Sequence, residues 1–283
     1  RSQFLDERNL QSYYHMIAAY SELKQISEIE NKLKILENIA PNSSEFYLSS
    51  AVLNIELKKH EEAIIQYDKA LEIDPKDVYT LSNKGVALHN LGKLEEAITY
   101  YDKALEIEPN YKFALNNKGL ALYNLGKHEE AIIQYDKALE IEPKALDAIL
   151  TKGLALYNLG KHEKAIIQYD KALEIEPNDK LALYNKGLAL YNLGKHEEAI
   201  IQYDKALAID PNYKLALYNK GLALYKLGKH DEAIILYDKV LEIEPNTEFV
   251  LDSKAKSLFE LKKFSEAKDI LDKVSQINPN DKE

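Results

Sequence analysis

The sequence of 283 residues contains no cysteine. It can therefore form no disulfide framework, and it offers no thiolate as a nucleophile or metal ligand. It also has no uninterrupted apolar run of about 18 residues, so the sequence predicts no membrane-spanning helix. We expect a soluble, cytoplasmic chain. The chain begins at Arg1 rather than at a methionine, which suggests an excised domain whose original targeting segment is out of view.

Positively charged residues are in the minority. Lysine and arginine total 37 against 47 aspartates and glutamates, which gives a formal net charge of −10. Binding to a phosphate backbone relies on clustered Lys and Arg, so this balance disfavours nucleic acid as the main partner. The sequence shows no glycine-rich phosphate loop and no nucleophile paired with a general base. We therefore predict a chain without enzymatic activity and without a cofactor.

Glycine and proline are few, and both recur with a period of 34 residues. The prolines are Pro41, Pro75, Pro109, Pro143, Pro177, Pro211, Pro245 and Pro279. The glycines form two series, Gly85, Gly119, Gly153, Gly187, Gly221 and Gly92, Gly126, Gly160, Gly194, Gly228. A self-similarity of this length predicts a stacked array of repeats, which grows along one axis and needs no central core.

The unit from Lys112 to Pro143 predicts two helices. Apolar Leu115, Leu122 and Leu125 form a stripe on the first helix, which we expect to end where Gly126 adopts a left-handed conformation. The second helix begins near His128, with acidic residues at the positive end of its dipole, and ends before Pro143. The residues predicted to form its buried side are Ala131, Ile132, Tyr135, Ala138, Leu139 and Ile141.

Gly119 lies inside the predicted first helix, where glycine costs about 1 kcal/mol relative to alanine. Its recurrence in five units needs a packing reason. We predict that it allows close approach of the paired helix backbones, together with Ala131 and Ala138 of the second helix.

The chain divides into three parts. Residues 44–247 contain six repeats, and residues 1–43 show the spacing of two amphipathic helices that would form a degenerate N-terminal cap. Residues 248–283 are predicted to form a C-terminal cap, because a terminal repeat has an uncovered face that should be polar. There, Lys268 and Asp269 replace two isoleucines, and Lys254 and Lys256 lie in the first helix.

This pattern resembles the tetratricopeptide repeat (TPR). Its basis is a glycine and leucines in the first helix, Ala131, Tyr135 and Ala138 in the second, and a closing proline, every 34 residues. The resemblance implies an all-α fold, a right-handed solenoid of stacked antiparallel helix hairpins in which the first helices line a concave groove. It also implies a scaffold or adaptor that binds an extended peptide or a partner helix in that groove.

Groove residues are implied by the same resemblance. In the unit from Lys112 they are Phe113, Asn117, Leu120, Tyr123 and Asn124. Equivalent positions in other units are Asn83, Asn90, Leu154, Tyr157, Asn158, Asn185, Leu188, Tyr191, Asn192, Asn219 and Tyr225. An asparagine amide donates and accepts, so a row of them can pair with the main chain of an extended peptide. The alternative is that these amides contact only water.

The sequence argues against two kinds of site, a clamp for a terminal carboxylate and a metal site. TPR modules that hold the C-terminal carboxylate of chaperones use Lys, Asn and Arg in the groove, and apolar residues such as Leu120 and Leu154 occupy corresponding positions here. A histidine series could suggest a metal site, but successive repeats are too far apart for these side chains to converge on one ion. Its members are His60, His128, His162, His196 and His230.

Two other functions remain open. The chain could be the substrate-recruiting domain of a larger enzyme, or a solenoid that assembles with copies of itself as a homo-oligomer. The identity of a protein or peptide partner does not follow from the sequence.

Overall fold

The helices of the first compact unit, which extends to residue 145, form four consecutive hairpins. The computed structural model describes residues 7–277, and all regular structure in this range is helical. The helices of this unit are α1 (Glu7–Glu22), α2 (Ile26–Ile39), α3 (Ser44–Glu56), α4 (His60–Ile73), α5 (Val78–Asn90), α6 (Leu94–Ile107), α7 (Lys112–Asn124) and α8 (His128–Ile141).

The second unit begins at residue 146 and repeats this arrangement. Its helices are α9 (Leu146–Asn158), α10 (His162–Ile175), α11 (Lys180–Asn192), α12 (His196–Ile209), α13 (Lys214–Lys226), α14 (His230–Ile243), α15 (Glu248–Glu260) and α16 (Phe264–Ile277). The odd-numbered helices are the first helices of the hairpins, and the even-numbered ones are the second helices. The last residues of the predicted C-terminal cap lie outside the described residues.

The turn inside each hairpin follows from a single left-handed residue. Gly126 has φ +76°, its N–H donates to the carbonyl of Tyr123 at 2.9 Å, and the N–H of Lys127 donates to Leu122 at 2.9 Å. This pair of bonds is the Schellman motif, which satisfies the last carbonyls of α7. In the diverged hairpins the same turn is made by Lys24, Lys58 and Lys262, with φ between 56° and 60°.

In the five hairpins from α5–α6 to α13–α14, a tyrosine of the second helix fills the centre of the hairpin. Tyr101, Tyr169 and Tyr203 are fully buried. A Cβ added to Gly85 would lie 2.5 Å from Cε1 of Tyr101 and one added to Gly187 would lie 2.5 Å from Cε1 of Tyr203. The internal glycines therefore make room for the tyrosine ring of their own hairpin, a partner that the expectation of close helix approach did not name.

The predicted buried side of the second helix is only partly correct. Ala131, Tyr135 and Ala138 are buried, whereas Ile141 is 42% exposed. Ile141 is the last residue of α8, where the chain turns away from the stack. Ile133, in the apolar pair Ile132–Ile133, is 52% exposed because it faces outward from the hairpin.

Ion pairs join successive hairpins. In several repeats a lysine of the first helix donates to an aspartate in the second helix of the preceding repeat, as in Lys118–Asp102 and Lys186–Asp170, both at 2.5 Å. Lys254 belongs to this series, because its Nζ lies 2.5 Å from Oδ1 of Asp238. Lys254 was therefore wrongly assigned to a polar terminal face.

The first helices lie on the inner side of each unit. Neighbouring first helices contact each other directly at α5 and α7, α11 and α13, and α13 and α15. Within either unit, no two consecutive second helices among the described ones approach to a comparable extent. Since a curved stack brings its inner elements closer together, we call the surface of the first helices the inner face. None of the helices between residues 7 and 277 is long and apolar enough to cross a membrane.

Candidate functional site

The predicted groove residues of the first unit lie on α5 and α7. Phe113 is 56% exposed at the start of α7, and Asn124 is exposed at its end. The other residues between them on α7, Asn117, Leu120 and Tyr123, are half-buried. On α5, Asn90 is exposed, and the Asn83 amide donates to the carbonyl of Tyr79 in its own helix at 3.0 Å.

In the second unit, the predicted residues follow the same pattern along α9, α11 and α13. The asparagines at the ends of α9 and α11, Asn158 and Asn192, are exposed. The apolar and aromatic members of this set are half-buried, and Leu188 and Tyr191 pack against the core below α11. The complete set comprises Leu154, Tyr157, Asn158, Asn185, Leu188, Tyr191, Asn192, Asn219 and Tyr225.

Hydrogen bonds fix several of these amides between consecutive first helices. Asn192 Nδ2 donates to the hydroxyl of Tyr157 on the preceding first helix at 2.6 Å, and Asn219 Nδ2 donates to that of Tyr184 at 3.1 Å. In the first unit, Asn124 Nδ2 lies 2.9 Å from Nε2 of His89. With its Nδ2 engaged, each of these amides has its orientation fixed, and its carbonyl oxygen is the acceptor left for a ligand.

His89 stands where the other interior repeats have a groove tyrosine. Burial lowers the pKa of His89 below its ordinary value, because the charged imidazolium loses hydration there. Since the amide of Asn124 is a donor, this bond requires Nε2 of His89 to be unprotonated and to accept. The hydrogen bond that joins α5 to α7 therefore forms when His89 is neutral.

The histidine series packs against the tyrosines of the predicted groove. The ring centroids of Tyr123 and His128 are 5.1 Å apart, and those of Tyr191 and His196 are 5.0 Å apart. Each of these histidines is the first residue of a second helix. Within the described part of the chain, no three His, Asp or Glu side chains cluster in a way that could hold a metal ion.

Each unit has a cavity that opens between first helices. One of about 630 Å³ in the first unit includes the acidic residues Glu45, Asp74 and Asp77 in its lining. The other, of about 280 Å³, lies in the second unit between α11, α13 and α15, and its lining includes Lys226 and Lys256.

Sequence reasoning missed several of these residues. It did not select His89, Tyr184, Lys226 or Lys256, because the groove positions were taken from the repeat pattern and these residues depart from it. Comparison of each position with its equivalents 34 residues away would have identified the two lysines. Nothing in the repeat pattern predicts that the Tyr184 hydroxyl accepts a hydrogen bond from Asn219 on the next first helix.

The fold defines an α-solenoid of helical hairpins, and family models identify its class. Models described as tetratricopeptide repeat match residues 78–111, 113–145, 150–214 and 215–247, and one described as TPR repeat matches residues 55–92. These matches cover most of the chain. The chain therefore belongs to the tetratricopeptide repeat family, which confirms the resemblance and the fold class and supports a role in protein–protein interaction.

Solved structures agree on the fold. YrrB, described as a TPR protein with an unusual peptide-binding site, is 28% identical, covers 66% of this chain and 97% of its own, and gives a TM-score of 0.58. The C-terminal part of a TPR repeat-containing protein from Cytophaga hutchinsonii is 20% identical over 85% of this chain and 98% of its own, with a TM-score of 0.67. MamA from Desulfovibrio magneticus is 22% identical over 61% of this chain and 97% of its own, with a TM-score of 0.58. No curated protein sequence matches the chain significantly.

Proposed function

We propose that the chain is a non-enzymatic scaffold that binds an extended segment of a partner protein along the inner face of its first helices. The observation that carries this proposal is the row of oriented amides. Asn124 and Asn192 occupy equivalent positions, are exposed, and are each held by a side chain of the preceding first helix. Within each unit, such an amide offers an acceptor to the N–H groups of an extended chain that lies along the first helices of that unit.

The surrounding side chains suit the same ligand. Half-buried leucines and tyrosines beside the amides, such as Leu188 and Tyr191, supply apolar contact with polar hydroxyls at their edges. The similarity to YrrB, whose structure is described by its peptide-binding site, supports peptide binding as the mode of interaction. The cytoplasmic location and the absence of enzymatic activity stay predictions.

The test uses random peptides displayed on phage, followed by affinity measurement with synthetic peptides of the enriched sequences. The groove variant carries Asn117→Ala, Asn124→Ala, Asn185→Ala and Asn192→Ala. Each lost hydrogen bond contributes about 1 kcal/mol, so we expect at least a tenfold loss of affinity.

The control variant carries Ile133→Ala and Ile201→Ala, which alter exposed residues of the second helices. Circular dichroism checks that both variants remain helical. Equal binding by the native chain and the groove variant, with loss in the control variant, would place the binding surface on the second helices and refute the proposal. Light scattering on the native chain separately tests the homo-oligomer alternative.

A further inference from the structure

We infer that the cavity between α11, α13 and α15 is a subsite for an acidic side chain of the bound segment, adjacent to a large apolar side chain of the same segment. This inference rests on the proposed function and adds the chemistry of the ligand. It concerns the second unit alone, in which all the lining residues lie.

The interior of the cavity is aromatic. Its volume is about 280 Å³, and the side chains that line it include Tyr191, Tyr218, Leu222, Tyr225 and Tyr237. Tyr237 is fully buried in the hairpin core, so the cavity reaches down to the packed layer. Rings on several sides and an aliphatic side chain provide a dry surface for one large apolar side chain.

Positive charge lies at this cavity. Lys226 is the last residue of α13 and Lys256 lies on α15, and both are exposed. Neither ammonium group forms an ion pair with any residue between 7 and 277. The lining contains no acidic residue, although Asp252 and Glu260 lie one helical turn before and after Lys256.

Both lysines depart from an otherwise regular repeat. Lys226 replaces the asparagine found at the equivalent position in Asn90, Asn124, Asn158 and Asn192. Lys256 replaces the leucine found in Leu120, Leu154, Leu188 and Leu222. Two positions on different helices, an amide and an apolar residue in the other repeats, thus both carry a positive charge here and line the same cavity. A general increase in polarity toward the end of the array would not by itself place both charged residues in the lining of one cavity.

Polar groups at the same cavity complement the lysines. The hydroxyls of Tyr218 and Ser253 lie 3.2 Å apart, bridging α13 and α15. A carboxylate at this point can accept from the two ammonium groups, while the neighbouring side chain enters the aromatic interior. Because the inner face continues from this cavity to Tyr191 and Asn192 on α11, the acid belongs to an internal Asp or Glu of an extended chain.

The test compares the native chain with a variant carrying Lys226→Asn and Lys256→Leu. These substitutions install the residues found at the equivalent positions of the other repeats, so α13 and α15 receive side chains that other first helices already carry. The probes are random peptides displayed on phage between flexible flanks, so that no free carboxyl terminus is present. Synthetic peptides of the enriched sequences are then titrated at low and at high salt.

We expect the native chain to enrich peptides with Asp or Glu next to an aromatic or large aliphatic residue. The restored variant should still enrich peptides but lose the acidic preference. An acidic peptide should bind it about tenfold more weakly at low salt, and the difference should shrink at high salt because exposed charges are screened.

The outcomes separate the two proposals. If both chains bind the same peptides with the same acidic preference, or if the native chain shows none, the subsite is refuted while the proposed function stands. If acid is preferred only in a second library with free carboxyl termini, the ligand is a terminal carboxylate and the inference is wrong. If the native chain enriches no peptide at all, both proposals fail.

Discussion

In five hairpins, the glycine inside the first helix and the tyrosine of the following second helix act as one packing pair. A Cβ on Gly187 would meet three ring atoms of Tyr203, the nearest at 2.5 Å. The ring is fully buried and cannot move aside as a flexible chain end would. The pair therefore fixes how closely α11 and α12 approach.

We predict that Gly187→Ala destabilises the protein despite the better helix propensity of alanine. Overpacking costs about 1–3 kcal/mol, against a propensity gain of about 1 kcal/mol, so the net loss should be about 1 kcal/mol. Urea unfolding measures it. In a double-mutant cycle with Tyr203→Leu, which removes the ring, the loss caused by Gly187→Ala should shrink. If Gly187→Ala instead stabilised the protein, the Tyr203 ring would have to shift to make room for the added methyl group.

The hydrogen bond between Asn124 and His89 in the first unit depends on pH. Its pKa is lowered by burial, so the folded state binds fewer protons than the unfolded state once the pH falls below about 6.5. Stability should therefore decrease on acidification through this range and level off below the folded pKa, as the bond from Asn124 is lost.

The matched control is His89→Tyr, which installs the residue that Tyr157 provides at the equivalent position in the second unit. We expect this variant to lose less stability than the native chain between about pH 7.5 and pH 5.5, measured by urea midpoints. The comparison removes the contribution of the other histidines, which both chains share. Identical pH profiles would show that His89 does not accept from Asn124.

At the scale of helices, each hairpin depends on a left-handed residue between its two helices. Five hairpins use glycine, whereas Lys24, Lys58 and Lys262 adopt the same conformation with positive φ. A side chain at this conformation costs about 1–2 kcal/mol, because Cβ approaches the following carbonyl oxygen. The diverged hairpins are therefore strained at their turns.

We predict that Lys58→Gly stabilises the first unit by about 1 kcal/mol, since glycine relieves this strain. The Schellman bonds at this turn, from Lys58 to Ile55 and from Lys59 to Asn54, do not involve the side chain and should persist. The control is Lys58→Ala, which removes the same charge but keeps a Cβ and should give no such gain. Urea midpoints of the two variants distinguish strain from charge.

The hairpins themselves could be predicted from sequence because their signals are local. Gly126 and Pro143 mark helix ends by backbone geometry alone, and the helices end within two residues of them. The contacts between hairpins could not be predicted in the same way. The Lys186–Asp170 pair and the bond from Asn192 to Tyr157 depend on how one hairpin is placed on the next, and a repeating pattern is compatible with several placements.

At the scale of the molecule, the chain forms two compact units that meet in sequence at residues 145 and 146. The sequence does not mark this division, because Pro143 is in phase with every other proline. Among the described helices, the first and the last hairpin each contact a neighbouring hairpin on one side. The hairpin α1–α2 packs on α3, and α15–α16 packs on α14 and α13.

We predict that amide hydrogen exchange is faster in α1–α2 and α15–α16 than in α5–α6 and α11–α12. In a repeat array each hairpin is stabilised by its own contacts and by those with its neighbours, so hairpins with one neighbour open at lower free energy. Exchange followed by mass spectrometry gives the protection of each segment. Uniform protection along the chain would instead indicate unfolding as one cooperative block.

The ion pairs between hairpins also bear on how such a chain changes over generations. Lys186–Asp170 and Lys220–Asp204 have the same atoms at the same 2.5 Å separation, so a hairpin inserted between them would find its partners already in place. Unequal recombination within the gene can therefore lengthen or shorten the protein by whole hairpins without a new interface. The length of the inner face, and with it the length of the proposed peptide-binding surface, is then a heritable quantity that changes in discrete steps.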